Sequence, residues 1–171
     1  VAVSIPTMED DLKRIMEPRV SSAASRLKAM QLLSENGVPT SALLAPIIPA
    51  INDHEIESIL EAVASAGATL AHYIFLRLPH ELADIFSAWL QAHFPDRKER
   101  VLSLVRQASG GRNYDARFGV RQTGRGAYAN MLASRFAAAS RKHGLAASTY
   151  QHPLDCNRFS RPGQRQLGLD F

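Results

Sequence analysis

Two nearly continuous apolar runs, Thr40 to Ile48 and Leu70 to Leu78, stand about 30 residues apart, and each is followed by a segment of helical spacing. This alternation constrains the fold more than any other feature. A strand without polar alternation must be covered on both faces, the situation of a parallel sheet. Parallel neighbours need a long crossover, and a helix provides it. Val1 to Pro6 supplies an earlier strand, and Met8 to Met16 a short helix closed by Pro18. Ser21 or Ser22 caps the next helix, in which Leu27, Met30 and Leu33 recur on one side before Gly37 ends it. Asp53 is placed to cap a helix burying Ile56, Ile59, Leu60 and Val63, with Gly67 as its stop. Pro79 to Phe94 predicts a further helix, burying Leu82, Ile85, Phe86, Trp89 and Leu90, and Pro95 stops it.

Three βα units in a row define an α/β fold, either part of a doubly wound sheet or part of a (β/α) barrel. Their crossovers should be right-handed. Three strands alone leave exposed edges, so further N-terminal strands are expected, in a longer polypeptide of which this is the C-terminal part. Beyond residue 95 the pattern changes. Asp96 is placed to cap a helix to about Ala108 carrying Val101, Leu102 and Val105; Gly110 and Gly111 break it. Residues 112–125 predict a loop in which arginines alternate with Tyr114, Phe118 and glycines. Ala127 to His143 is a small-residue helix with Leu132 and Phe136 inward, ended by Gly144. The expected organisation is a barrel portion over 1–95, a helical basic extension over 96–152, and a mobile arginine-rich tail over 153–171.

Charge follows the same division. Residues 1–96 hold 6 Lys and Arg against 12 Asp and Glu, a balance of −6; residues 97–171 hold 14 against 4, a balance of +10. Twelve of those fourteen cations are arginines, which favour phosphate, carboxylate and aromatic faces. DNA or RNA binding through residues 97–171 is one expectation; a solvated surface facing an acidic neighbour is the other. The single cysteine, Cys156, excludes a disulfide framework, a Cys-based zinc site and a self-contained iron–sulfur cluster within this chain. One free thiol fits a reducing cytoplasm. No apolar run approaches membrane-spanning length, and a monomer is expected.

Several common sites fail on spacing. There is no Walker A and no GxGxxG sequence. The pairs His54-Glu55 and His80-Glu81 invite a zinc-protease reading, but Ser58 and Asp84 stand where the second histidine is needed. Both histidines are expected to be surface or hydrogen-bonding residues, and no metal ligand is assigned.

A series of phrases carries more. Glu17-Pro18-Arg19 is followed by Arg26-Leu27, Gly37-Val38 and Ala45-Pro46-Ile47-Ile48-Pro49-Ala50-Ile51-Asn52-Asp53, then Leu76-Arg77-Leu78-Pro79-His80-Glu81 and Tyr114-Asp115-Ala116-Arg117-Phe118-Gly119. In this order they resemble the C-terminal half of radical S-adenosylmethionine (SAM) proteins, in the branch related to spore photoproduct lyase and called DNA-repair-photolyase-like. The resemblance covers most of residues 1–125. It implies a partial (β/α)6, TIM-like barrel whose fourth to sixth strands lie here. It also implies a radical SAM lyase-type enzyme in the parent, whose N-terminal half binds a [4Fe–4S] cluster through three spaced cysteines. Without those cysteines the fragment is expected to be inactive alone. By position, Ser4 matches a polar contact to SAM, Arg26 an arginine for its carboxylate, Ile47 and Ile48 the apolar wall against adenine, and Leu76 the opposite side. Thr7 and Arg77, at strand C-termini, face the substrate side. Asn52 and Asp53 fit a turn and a helix cap. The resemblance assigns no catalytic residue.

The terminus Gln166-Leu167-Gly168-Leu169-Asp170-Phe171 looks like a sliding-clamp docking peptide: Leu167, Leu169 and Phe171 would fill an apolar groove and Gln166 would bond its rim. Packing back onto the body is the other expectation. An alternative to the enzyme is thus a non-catalytic nucleic-acid-binding or clamp-docking adaptor.

Overall fold

The computed structural model of the chain describes residues 1–146. The mobile-tail expectation, the clamp-docking residues Gln166, Leu167, Leu169 and Phe171, and Cys156 lie outside the described residues.

The elements run β1 (Ala2–Ser4), α1 (Asp10–Met16), α2 (Ala23–Glu35), β2 (Ser41–Ile47), a 3₁₀ turn (Asp53–Glu55), α3 (Ile56–Ser65), β3 (Leu70–Phe75), α4 (Leu82–His93), a second 3₁₀ turn (Pro95–Arg97), α5 (Lys98–Ala108) and α6 (Ala127–Lys142). The strands form a parallel sheet in the order β1-β2-β3. Ser4 pairs with Leu43 and Leu43 with His72, while an irregularity between Leu44 and Ile47 shifts the register at the end of β2.

The expected α/β alternation is present, with shorter strands. β1 is three residues long, although Ile5 N–H still donates to Leu43 O at 2.9 Å. Alternation along the strands separates two faces. Ala42, Leu44 and Ala71 are buried, and Tyr73 and Phe75 beside them meet Phe136 and Tyr128 of α6, with ring centroids 4.9 and 6.4 Å apart. α6 also packs on α3. The opposite face, with Ser4, Leu43, Ala45, His72 and Ile74, stays half-buried. The core runs from Leu44, Leu60 and Val63 without a break into Val101, Val105, Leu132 and Phe136. The basic helices are therefore cemented onto the α/β portion.

Two expected caps are corrected. Asp53 does not cap α3: it opens the 3₁₀ turn, and its carboxylate accepts from Tyr128 OH at 2.6 Å. Asp96 makes no capping bond either; it lies inside the Pro95–Arg97 turn, which sends the chain into α5. In both places a tight turn takes over the work of starting the helix. Ser22 does cap α2, accepting from Ser25 N–H at 3.2 Å.

Gly67 ends the α3 unit with φ +87°, and a Cβ there would lie 2.2 Å from Ser34 Oγ. Gly67→Ala combines left-handed strain with overpacking, and is expected to cost about 2–3 kcal/mol in urea denaturation. Adding Ser34→Ala should recover part of that loss.

Candidate functional site

In a parallel sheet the loops leaving the strand C-termini gather on one side, where ligands bind. Here that side is tied together by one buried amide. Asn52 Oδ1 accepts from Ile48 N–H at 2.6 Å, and Nδ2 donates to Pro6 O at 2.8 Å and Pro46 O at 2.9 Å. The chain leaving β1 is thereby fixed to the chain leaving β2. Thr7, also buried, donates its hydroxyl to Glu55 Oε1 at 2.6 Å, and Met8 N–H donates to Glu55 Oε2 at 2.7 Å.

Arg26 is the second anchor. It is buried, with 9% of its surface exposed. Nε donates to Ser21 O at 3.1 Å, Nη1 to Ser4 O at 2.6 Å, and Nη2 to Glu17 Oε2 at 2.5 Å. Ser4 Oγ donates to Ala45 O at 3.3 Å. Arg26 and Thr7 line a crevice too tight for water.

An open cleft lies next to it. Its volume is about 390 Å³, and its walls include Glu17, Pro46, Ile48, Leu76, Arg77 and Trp89. α4 forms the far wall. Phe86 and Trp89 stack there with centroids 5.4 Å apart, and the Trp89 indole N–H reaches Ile15 O at 3.3 Å. The expectation that α4 buries its whole apolar side is corrected: Leu90 is buried, but Ile85 is 60% and Leu82 43% exposed. Periodicity shows that a face is apolar, not that something covers it. In this fold part of that face lines the cleft.

Arg77 links the cleft to the loop over residues 112–125. Its Nη2 donates to Tyr114 OH at 2.9 Å, its guanidinium lies 5.4 Å from that ring's centroid, and its buried Nε has no partner among the described residues. Phe75 N–H donates to Gln122 O at 2.7 Å, and Arg125 N–H to Ala108 O at 2.9 Å, so the loop is fastened at both β3 and α5. Within it, Arg117 Nε and Nη2 grip both oxygens of Asp115 at 2.5–3.2 Å. Those hydrogen bonds hold the Asp115 carboxyl well below the usual carboxylate range. On the helical side, burial and then the Asp53 carboxylate push the Tyr128 phenol far above its ordinary value. The Arg135 hydrogen bonds lower Glu57.

The seven expected ligand residues therefore separate. Ile48, Leu76 and Arg77 come together at the cleft. Arg26 and Thr7 are closed in by internal partners, Ser4 sits beside Arg26, and Ile47 is core. Sequence reasoning missed Glu17, which touches both regions, and treated Asn52 as a turn residue. His54 behaves as expected, its Nε2 lying 3.0 Å from Glu9 Oε1. Glu9, His54 and Glu55 bring three donor atoms within 4.8 Å, but both Glu55 oxygens already serve Thr7 and Met8.

Sheet and cleft define a parallel α/β protein with a ligand-sized apolar site at its strand C-termini. No family model matches the chain, and no solved structure does. It is 27% identical over 109 residues to uncharacterized proteins of Mycobacterium tuberculosis and Mycobacterium bovis, matching 63% of this chain and 32% of theirs. An uncharacterized protein of Methanocaldococcus jannaschii is 28% identical over 101 residues, 59% of this chain and 37% of that protein. The chain thus spans about a third of the length of the curated relatives it matches. Among the described residues no helix is long and apolar enough to cross a membrane.

Proposed function

We propose that this chain is the C-terminal portion of a radical SAM enzyme, completing a partial (β/α)6 barrel, and that its cleft takes the adenosyl part of SAM. One observation carries the reading: Ile48, Leu76 and Arg77, assigned separately to adenine and substrate, line one cleft. The strand order is compatible with it. Sequential parallel strands in the order β1-β2-β3 are what a barrel uses, as well as half of a doubly wound sheet. The half-buried face, with Ser4 and His72, is where a barrel interior would lie.

In this reading Ile48 and Leu76 exclude water from the adenine faces, and Arg77 meets an anionic group at the cleft mouth. Asn52 and Arg26 hold the strand ends that carry those walls. SAM, when reduced, supplies the radical chemistry. The cluster ligands lie outside this sequence, so no chemical step is assigned to its residues.

The test uses the full-length polypeptide, including whatever precedes Val1, reconstituted anaerobically with iron and sulfide. Three spaced cysteines upstream, a cluster absorbance and SAM-dependent release of 5′-deoxyadenosine are expected. Leu76→Lys, which places a cation in the apolar wall, should weaken SAM binding at least about tenfold, equivalent to ~1.4 kcal/mol, while Leu76→Met keeps it. An upstream sequence without the cysteines overturns the reading, as does unchanged affinity in Leu76→Lys.

A second reading has its own support. Residues 97–146 hold 11 Lys and Arg against 2 Asp and Glu. A nucleic-acid-binding role for this region predicts affinity that falls steeply with salt. It is compatible with the enzyme reading, as the substrate side, and also stands without it.

A further inference from the structure

The loop over residues 112–125 presents an aromatic ring in a setting of cations. Phe118 is 90% exposed, the most exposed large apolar residue among those described. A lone exposed phenylalanine means little, since apolar residues are common on surfaces; its surroundings are informative. Arg121 lies 5.5 Å from the ring centroid. Arg112, Arg121 and Arg125 are exposed and take part in no ion pair among the described residues. Between residues 106 and 125 there are five arginines and no lysine.

The ring is held out by construction. The Asp115–Arg117 fork sets the turn just before Phe118. Gly119 follows with φ +83°, a left-handed conformation that favours glycine. Backbone bonds from Phe75 and Arg125 then fasten the return of the loop. Arg125 lies across Gly110, where a Cβ would come 1.9 Å from its Nη2.

We infer that this loop binds single-stranded nucleic acid: a base stacks on Phe118, while the guanidiniums of Arg112 and Arg121 take the adjoining phosphates. The inference rests on the nucleic-acid reading of the basic region and names the residues and the form of nucleic acid. An aromatic platform flanked by cations is what sequence-tolerant binding of unpaired bases requires, because every base has a π-face. Duplex offers no exposed base face to such a ring. An anionic membrane is the less favoured partner, since one aromatic tip gives little apolar area to insert and the all-arginine composition matches planar phosphate recognition.

The experiment is fluorescence anisotropy of a labelled oligothymidylate with the 171-residue chain across a salt series, with circular dichroism confirming that each variant folds. Phe118→Ala should weaken binding at least about fivefold, and Phe118→Trp should restore it. Arg112→Ala and Arg121→Ala should each flatten the log–log salt slope by roughly 0.7. Duplex of equal length should bind more weakly and ignore Phe118→Ala. If the chain binds but Phe118→Ala changes nothing, the stacking inference falls and the basic-region reading stands. If no nucleic acid binds at low salt, both fall. Tighter binding to phosphatidylserine vesicles than to oligothymidylate overturns the choice of partner. SAM binding, measured separately on the full-length protein, should be unchanged in all four variants.

Discussion

Asn52→Ala is expected to remove about 3–5 kcal/mol of stability, most of what a domain of this size has to lose. The amide is 2% exposed and serves one N–H and two carbonyls, Ile48 and Pro46 on the chain leaving β2 and Pro6 on the chain leaving β1. Alanine leaves all three without a partner, and each orphaned buried group costs roughly 1–3 kcal/mol. The sum is held below the arithmetic maximum because the Pro46 carbonyl is only partly buried. Asn52→Asp separates this role from that of a helix cap. At a cap, aspartate serves as well as asparagine. Here it would keep the bond from Ile48 N–H, lose both donors, and set an anion against the Pro6 and Pro46 carbonyls. Asp should therefore be as damaging as Ala. Urea midpoints for the two variants decide the matter: a near-neutral Asn52→Asp would mean that the two donated bonds carry little, and would remove Asn52 from the site's framework. Because the same amide positions Ile48, partly folded Asn52 variants should also weaken the SAM binding proposed for the cleft.

What was legible in the sequence follows from which forces act locally. The order of strands and helices is legible because it rests on nearly continuous apolar runs such as Leu70 to Phe75, interrupted by His72, and on helix stops such as Gly37 and Gly67, which adopt φ +72° and +87°. Helix starts at Asp53 and Asp96 were misread because a side chain able to cap is no evidence that the turn geometry lets it. The α4 face was misread for a different reason. Apolar spacing was present at Leu82, Ile85, Phe86 and Trp89, but whether a neighbour covers that face depends on the tertiary arrangement, which no local pattern encodes. Of the cleft residues, Arg77 could be found by its place at a strand C-terminus, whereas Ile48 and Leu76 are singled out only by the family resemblance. Glu17 and Thr7 could not be assigned their contacts, since their partners Arg26 and Glu55 are 9 and 48 residues away in sequence.

Arg26→Ala should cost about 2–3 kcal/mol. Breaking one partner of a buried ion pair typically costs 3–5 kcal/mol, and the figure is lowered here because the Glu17 side chain keeps 29% of its exposure. The loss also includes the Ser4 and Ser21 carbonyls, which Arg26 holds against the end of β1. Arg26→Lys should rescue little, since a single ammonium cannot span three acceptors set around a planar fork. The same pair tests the SAM-carboxylate role that the family resemblance implies for Arg26. The carboxylate of a bound ligand would compete with Glu17 for the guanidinium. A double-mutant cycle between Arg26→Ala and Glu17→Gln, measured by denaturation of the full-length protein with and without SAM, reads that competition directly. If Arg26 receives the ligand, saturating SAM should lower the Arg26–Glu17 coupling energy, and Glu17→Gln alone should bind SAM more tightly than the wild type. If the coupling is the same in both conditions, Arg26 serves only to brace β1, and the ligand's carboxylate must be met elsewhere, with Arg77 as the cation already at the cleft.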